Sequence, residues 1–173
     1  SLVTQLAPVA TVEYGGTLST ISVAVSGVQD AENLRVGSTA IGLGASNTTG
    51  SVAVGGYTWS YAYSAVGHAV TFTPGVTAPT TAQSQALVQA LGYTDTAQNP
   101  TAGTWSFAIS VTDNYGTSTL TDNVVINAEA APTLSLGTTT LNYTAGHSGI
   151  SVAGALSLAD TDDTNIKGAR IVI

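Results

Sequence analysis

The stretch from Gly103 to Leu134, GTWSFAISVTDNYGTSTLTDNVVINAEAAPTL, limits the fold more than any other part of the chain. Trp105, Phe107, Ile109 and Val111 alternate with Ser106, Ala108, Ser110 and Thr112. A helix would scatter these residues around a cylinder, whereas a strand puts every second side chain on one face. Asp113-Asn114-Tyr115-Gly116 supplies turn chemistry, because Asp and Asn bond their own backbone and Gly accepts positive φ. Leu120 to Ile126 resumes strand composition, Asn127 to Pro132 breaks it, and Thr133 begins a new alternation. The stretch reads as the closing hairpin of one β-sandwich module followed by the hinge to the next.

A repeat supports that phase. Ser1 to Pro8 (SLVTQLAP) resembles Val125 to Pro132 (VINAEAAP), and Pro8 and Pro132 lie 124 positions apart. Val28 to Ile41 resembles Leu158 to Val172, with Asp30 matching Asp160 at a spacing of 130. A period of this length implies repeated modules. Residues 1–8 then form the last strand of a preceding module or a linker. Residues 9–130 form a complete module, and 131–173 the first strands of a following, incomplete one. A few strands cannot cover their own face. Such ends imply either an excerpt of a longer chain or completion by neighbouring subunits.

Inside the complete module, strands are expected at Val9 to Tyr14, Thr20 to Val25, Val36 to Leu43, Ser51 to Val54, Tyr57 to Ser64 and Ala69 to Thr73. Asp30 to Asn33 and Gly44 to Gly50 read as loops, and Gly55-Gly56 as a hairpin turn. Thr81 to Leu91 is the one helical pattern, with Leu87 and Leu91 on one face, Thr80 or Thr81 as N-cap and Gly92 as the stop. The pattern predicts an all-β chain: an antiparallel Greek-key sandwich of seven to nine strands with one short helix near residues 81–91.

The run SQALVQALGYTDTAQNPTAGTWSFAISVTD, with VTDNYG, TLTDNVVIN and AAPTL after it, resembles the cadherin-like modules of large secreted bacterial adhesins and surface fibres. Cadherin-type linkers usually carry an Asp-Asn-rich run before the Ala-Pro, and here Asn127-Ala128-Glu129-Ala130 stands in that place. The resemblance implies a cadherin or immunoglobulin-like fold, tandem arrangement and a location at the bacterial surface. Its partners would be other modules of the same chain or neighbouring identical subunits.

Charge agrees with that setting. Ten acids against three bases give −7, which disfavours nucleic acid and anionic membranes and favours cations. Only 8% of residues are charged, so Thr, Ser, Asn and Gln must carry solubility. Cys is absent, as is common in bacterial surface modules. No apolar run reaches the ~20 residues of a membrane helix, and no stretch resembling a signal peptide opens the sequence. A secreted chain would carry its signal elsewhere or have lost it.

Asp160-Thr161-Asp162-Asp163 gathers three acids, and its counterpart is Asp30-Ala31-Glu32-Asn33. Like charges this close repel, and Ca2+, which takes six to eight oxygens, would neutralise them. By the cadherin resemblance Asp160 and Asp162 would be ligands together with Glu129 from the linker, and Asp113 is the acid contributed by the closing hairpin. The matching set in the first module is Asp30, Glu32 and Glu13.

Tyr57, Trp59, Tyr61 and Tyr63 line one face of a strand. They fit the inner wall of a sandwich, and exposed they would make a glycan-binding platform. His68 and His147 stand apart from any nucleophile or ligand spacing, and no nucleophile elbow, P-loop or zinc pattern occurs. The sequence therefore indicates a structural or adhesive module forming a stalk, fibre or surface layer, with a surface-glycan binder as the second reading and no enzyme.

Overall fold

A computed structural model describes residues 3–29, 31–97, 100–127, 130–137, 140–160, 168, 170 and 172. The chain divides into two compact units, Ser1–Ala128 and Glu129–Ile173.

The first unit is an antiparallel β-sandwich. Its strands are β1 (Thr4–Gln5), β2 (Leu18–Ser26), β3 (Glu32–Val36), β4 (Thr39–Gly42), β5 (Thr48–Val54), β6 (Tyr57–Ser64) and β7 (Ala69–Thr73). They are followed by α1 (Thr81–Gln89), β8 (Leu91–Asp95), β9 (Gly103–Asp113) and β10 (Gly116–Ile126). One sheet has the order β10-β9-β2-β7-β6-β5 and the other β1-β8-β3-β4. Strands β5, β6 and β7 follow one another by hairpins, while β2 reaches the free side of β7 only through β3 and β4. That order is a Greek key.

Period-two alternation builds the core. On β9, Trp105, Phe107 and Ile109 are buried, and on β2 so are Ile21, Val23 and Val25. The four-stranded sheet answers with Leu34, Val36, Ile41 and Tyr93. The Tyr93 and Phe107 rings meet edge to face across the sheets, with centroids 5.4 Å apart. Gly55 and Gly56 close the β5–β6 hairpin at φ of 60° and 73°, which a two-residue turn of this hand requires.

Ten strands form among the described residues of the first unit, in place of the seven to nine expected. The expected strand from 36 to 43 is split by a turn at Gly37, whose φ is 56°. The polar loop expected at Asp30 to Asn33 gives way to β3 at Glu32, and β5 starts at Thr48 inside the expected loop. Residues 9–14, expected as a strand, join no sheet. Their partners are side chains of α1: Gln85 Oε1 accepts the Val12 amide and Gln89 Nε2 donates to the Ala10 carbonyl. The Tyr14 hydroxyl donates to the Pro79 carbonyl at 2.9 Å. Helix glutamines thus replace the ladder a neighbouring strand would have given.

Helix α1 begins with a capping box. Thr80 Oγ1 accepts the Gln83 amide and Gln83 Oε1 accepts the Thr80 amide. It ends at Ala90, one residue before β8, so Gly92 is a strand residue and not the stop.

The second unit contains β11 (Thr133–Leu136) and β12 (Leu156–Ala159), an antiparallel pair. Its register sets Leu134 opposite Leu158 and Leu136 opposite Leu156, on the face away from the Ser135–Ser157 hydroxyl pair.

Candidate functional site

Among the described acids of the first unit, Glu32 stands apart from Glu13 and Asp113. Glu32 opens β3 with its side chain directed inward, and it is 2% exposed. Its Oε1 accepts the Trp105 Nε1–H at 2.5 Å and the Tyr93 hydroxyl at 3.0 Å. Its Oε2 accepts the Gln29 amide at 2.5 Å. The donors come from β9 in one sheet, β8 in the other, and the β2–β3 crossover. Both carboxylate oxygens are therefore engaged inside the sandwich. A calcium ion at Glu32 would have to reach a carboxylate that is 2% exposed and already holds three donors.

The cradle around Trp105 explains the arrangement. An added Cβ on Gly103 would fall 2.1 Å from Trp105 Cζ3, and one on Gly27 would lie 3.3 Å from Cδ2. The indole is pressed between two glycines, and its N–H points at Glu32. Burial, followed by the Glu32 charge and the hydrogen bond to Glu32, pushes the Tyr93 phenol far above its ordinary value. Burial, and then the same charge, raises Tyr63. The Tyr63 hydroxyl lies 2.8 Å from the Leu43 carbonyl oxygen and 3.2 Å from His68 Nδ1.

Glu13 sits at the other end of the sandwich. Strand β2 pairs with Asp113 at Leu18 and with Ser106 at Ser26, eight steps or ~27 Å apart. Glu13 and Asp113 share a shallow depression at the Leu18 end with Tyr14 and Tyr115, while Glu32 follows the Ser26 end. The set Glu13 plus Glu32 is thus not assembled, because the intervening strand keeps the two apart. Asp113 Oδ1 accepts the amides of Tyr115 at 2.8 Å and Gly116 at 3.0 Å. Those amides, Tyr115 first, hold its carboxyl below the usual range against the opposing effect of desolvation. Asn114 Oδ1 accepts the Thr17 amide at 2.8 Å and ties this turn to the start of β2.

Asp160 is half-buried just past β12, and its buried Oδ1 has no hydrogen-bond partner among the described residues. Asp30, Glu129, Asp162 and Asp163 lie outside the described residues. Among the described residues no three His, Asp or Glu side chains are placed to share a metal ion.

On β6 the aromatic row faces inward. Trp59 and Tyr63 are 0% and 2% exposed, and Tyr57 and Tyr61 are half-buried, with Thr58, Ser60, Ala62 and Ser64 on the open side. Tyr57 packs on Trp59 at 4.9 Å and Tyr61 on Phe72 at 6.4 Å. This is a core wall and offers no open pair of rings for a sugar.

Sequence reasoning missed the Glu32–Trp105–Tyr93 cluster. Its signal was the pair of glycines, Gly27 and Gly103, bracketing a tryptophan of the kind that usually pairs its N–H when buried. No helix among the described residues is long and apolar enough to cross a membrane. The chain matches no protein-family model, no curated protein and no solved structure.

Proposed function

We propose that this chain is an extracellular structural or adhesive repeat, part of a bacterial stalk, fibre or surface layer, with calcium stiffening the joints between modules. The observation that carries the reading is the boundary between the two compact units at Ala128 and Glu129. It falls beside the Ala-Pro at which the sequence repeat restarts, so chain packing and sequence periodicity divide the molecule at one place. Tandem β-sandwiches suit a mechanical role, because each contributes a covered core and a fixed length to an extended array.

Calcium is favoured by Asp160. A buried carboxylate oxygen without a donor is costly, and a hard cation shared with Asp162, Asp163 and Glu129 would satisfy it. At the other acids, Asp113 already holds two backbone amides and Glu32 holds three donors.

A thermal melt in millimolar calcium, set against one in chelator, tests the joint. Ligand linkage predicts a rise of several degrees for a site half-saturated near ~10 μM, and Asp160→Asn abolishes it. Coincident melts remove calcium from the proposal. The glycan-binding alternative is tested on an array of surface polysaccharides, where a structural repeat gives no saturable binding.

A further inference from the structure

We propose that the outer face of the six-stranded sheet is a self-association surface, covered by the same face of a second copy of this chain. The registers define that face row by row. One row crosses all six strands as Thr119, Ser110, Ser22, Thr71, Ala62 and Thr49. The next row on one side carries Thr117, Thr112 and Thr20, and on the other Ala108, Ala24 and Ala69. None of these positions is buried, whereas the alternate residues of β9, β2, β7 and β6 supply much of the core.

Two features separate this face from an ordinary solvated one. The first is charge. The chain carries −7, yet the only charged residues within the six strands are Asp113 and Asp122, and both fall at inward positions of the alternation. Asp113 ends its strand in the turn, and Asp122 Oδ2 accepts the Ala7 amide at 3.3 Å. Soluble domains ordinarily spread charge of both signs over an open sheet face. Two acidic copies repel, and this face adds no acid of its own to a contact between them.

The second feature is the state of the hydroxyls. Ser110 pairs with Thr119 at 2.7 Å, Thr112 with Thr117 at 2.9 Å, and the Ser106 hydroxyl donates to Asn123 Oδ1 at 2.6 Å. On β9 and β10, polar groups that already have partners lose little when water leaves. The Thr methyls and Ala side chains then supply apolar contact, and small side chains let two sheets approach to ~10 Å.

Size is sufficient for a weak dimer. Six strands ~4.8 Å apart and three to four rows ~6.8 Å apart cover roughly 650 Å² per copy, or about 1,300 Å² for the pair. Specific interfaces begin near ~1,200 Å². The contact is isologous and closes on itself as a two-fold dimer. It stands independently of the stalk reading.

Sedimentation velocity of the whole chain from about 1 to 500 μM tests the proposal. The expected result is a reversible dimer that Ser22→Glu and Thr71→Glu, at the centre of the face, each weaken at least tenfold. Ala40→Glu, at an exposed position on β4 of the other sheet, leaves it unchanged. Matching melting curves show that the variants remain folded. Should a central charge unfold the chain, Thr49→Glu and Thr119→Glu near the edges take its place. A wild type monomeric across the range overturns the proposal, as does a dimer indifferent to charge on this face.

Discussion

Glu32 shows how one side chain serves both sheets. A carboxylate removed from water is tolerated only where donors replace its hydration, and three do so here. Glu32→Ala leaves the Trp105 and Tyr93 donors buried and unpaired. It should lower stability by about 3 kcal/mol, read as a fall in the urea midpoint with a change in tryptophan emission. Glu32→Gln keeps one acceptor and should lose about half as much. The tyrosines add a pH dependence. In the unfolded chain both phenols ionise near 10.0, while in the folded chain Tyr93 and Tyr63 are raised. Their contribution is complete below pH ~10 and is lost as pH rises toward the folded values. The melting temperature should fall on the alkaline side above pH ~10, and Tyr93→Phe should shallow that slope. Asp113 works in the opposite sense. Its lowered carboxyl stabilises above the ordinary range near 3.8 and loses that effect as pH falls through its folded value, so Asp113→Asn should blunt the acid limb.

At the scale of elements, α1 stands where a strand might have been. Its capping box fixes the first turn, and its glutamines hold Ala10 and Val12 outside any sheet. Gly55 also depends on it, since an added Cβ would fall 2.5 Å from Ala86 Cβ. Thr80→Ala should cost about 1 kcal/mol through the lost cap, measured by chemical unfolding. Gln85→Ala should cost less overall and act locally, raising amide exchange at Val12 first. The strands themselves were legible: β6, β7 and β9 coincide with the alternating runs, because period-two burial is written directly in residue order. The segment from 9 to 14 was not, because VATVEY has the same strand-like composition whether its partner is a backbone ladder or a pair of amide side chains.

For the whole molecule, the distribution of the core is decisive. Every buried hydrophobic among the described residues lies between Leu6 and Val124, inside the first unit. A chain cut to residues 1–128 should therefore melt within a few degrees of the intact protein, as followed by calorimetry. Loss of cooperative melting in the fragment would mean that the second unit contributes to this core. In the second unit, Leu134, Leu136, Leu156 and Leu158 are between 45% and 66% exposed on one face of the β11–β12 pair.

Sequence alone determined what depends on neighbours along the chain. It set the all-β class, a helix opening at Thr81, the Gly55-Gly56 hairpin and the one-faced row of aromatics on β6, since alternation, capping and turn chemistry act within a few residues. Tertiary structure alone decided which distant groups meet. It turned Glu32 into an acceptor for Trp105, 73 positions away, and put the length of β2 between Glu13 and Glu32. It also gathered the Ser, Thr and Ala positions of six strands into one uncharged face. Side chains far apart in sequence acquire a common environment only when strand order and register are fixed, and no local pattern in this chain encodes that order.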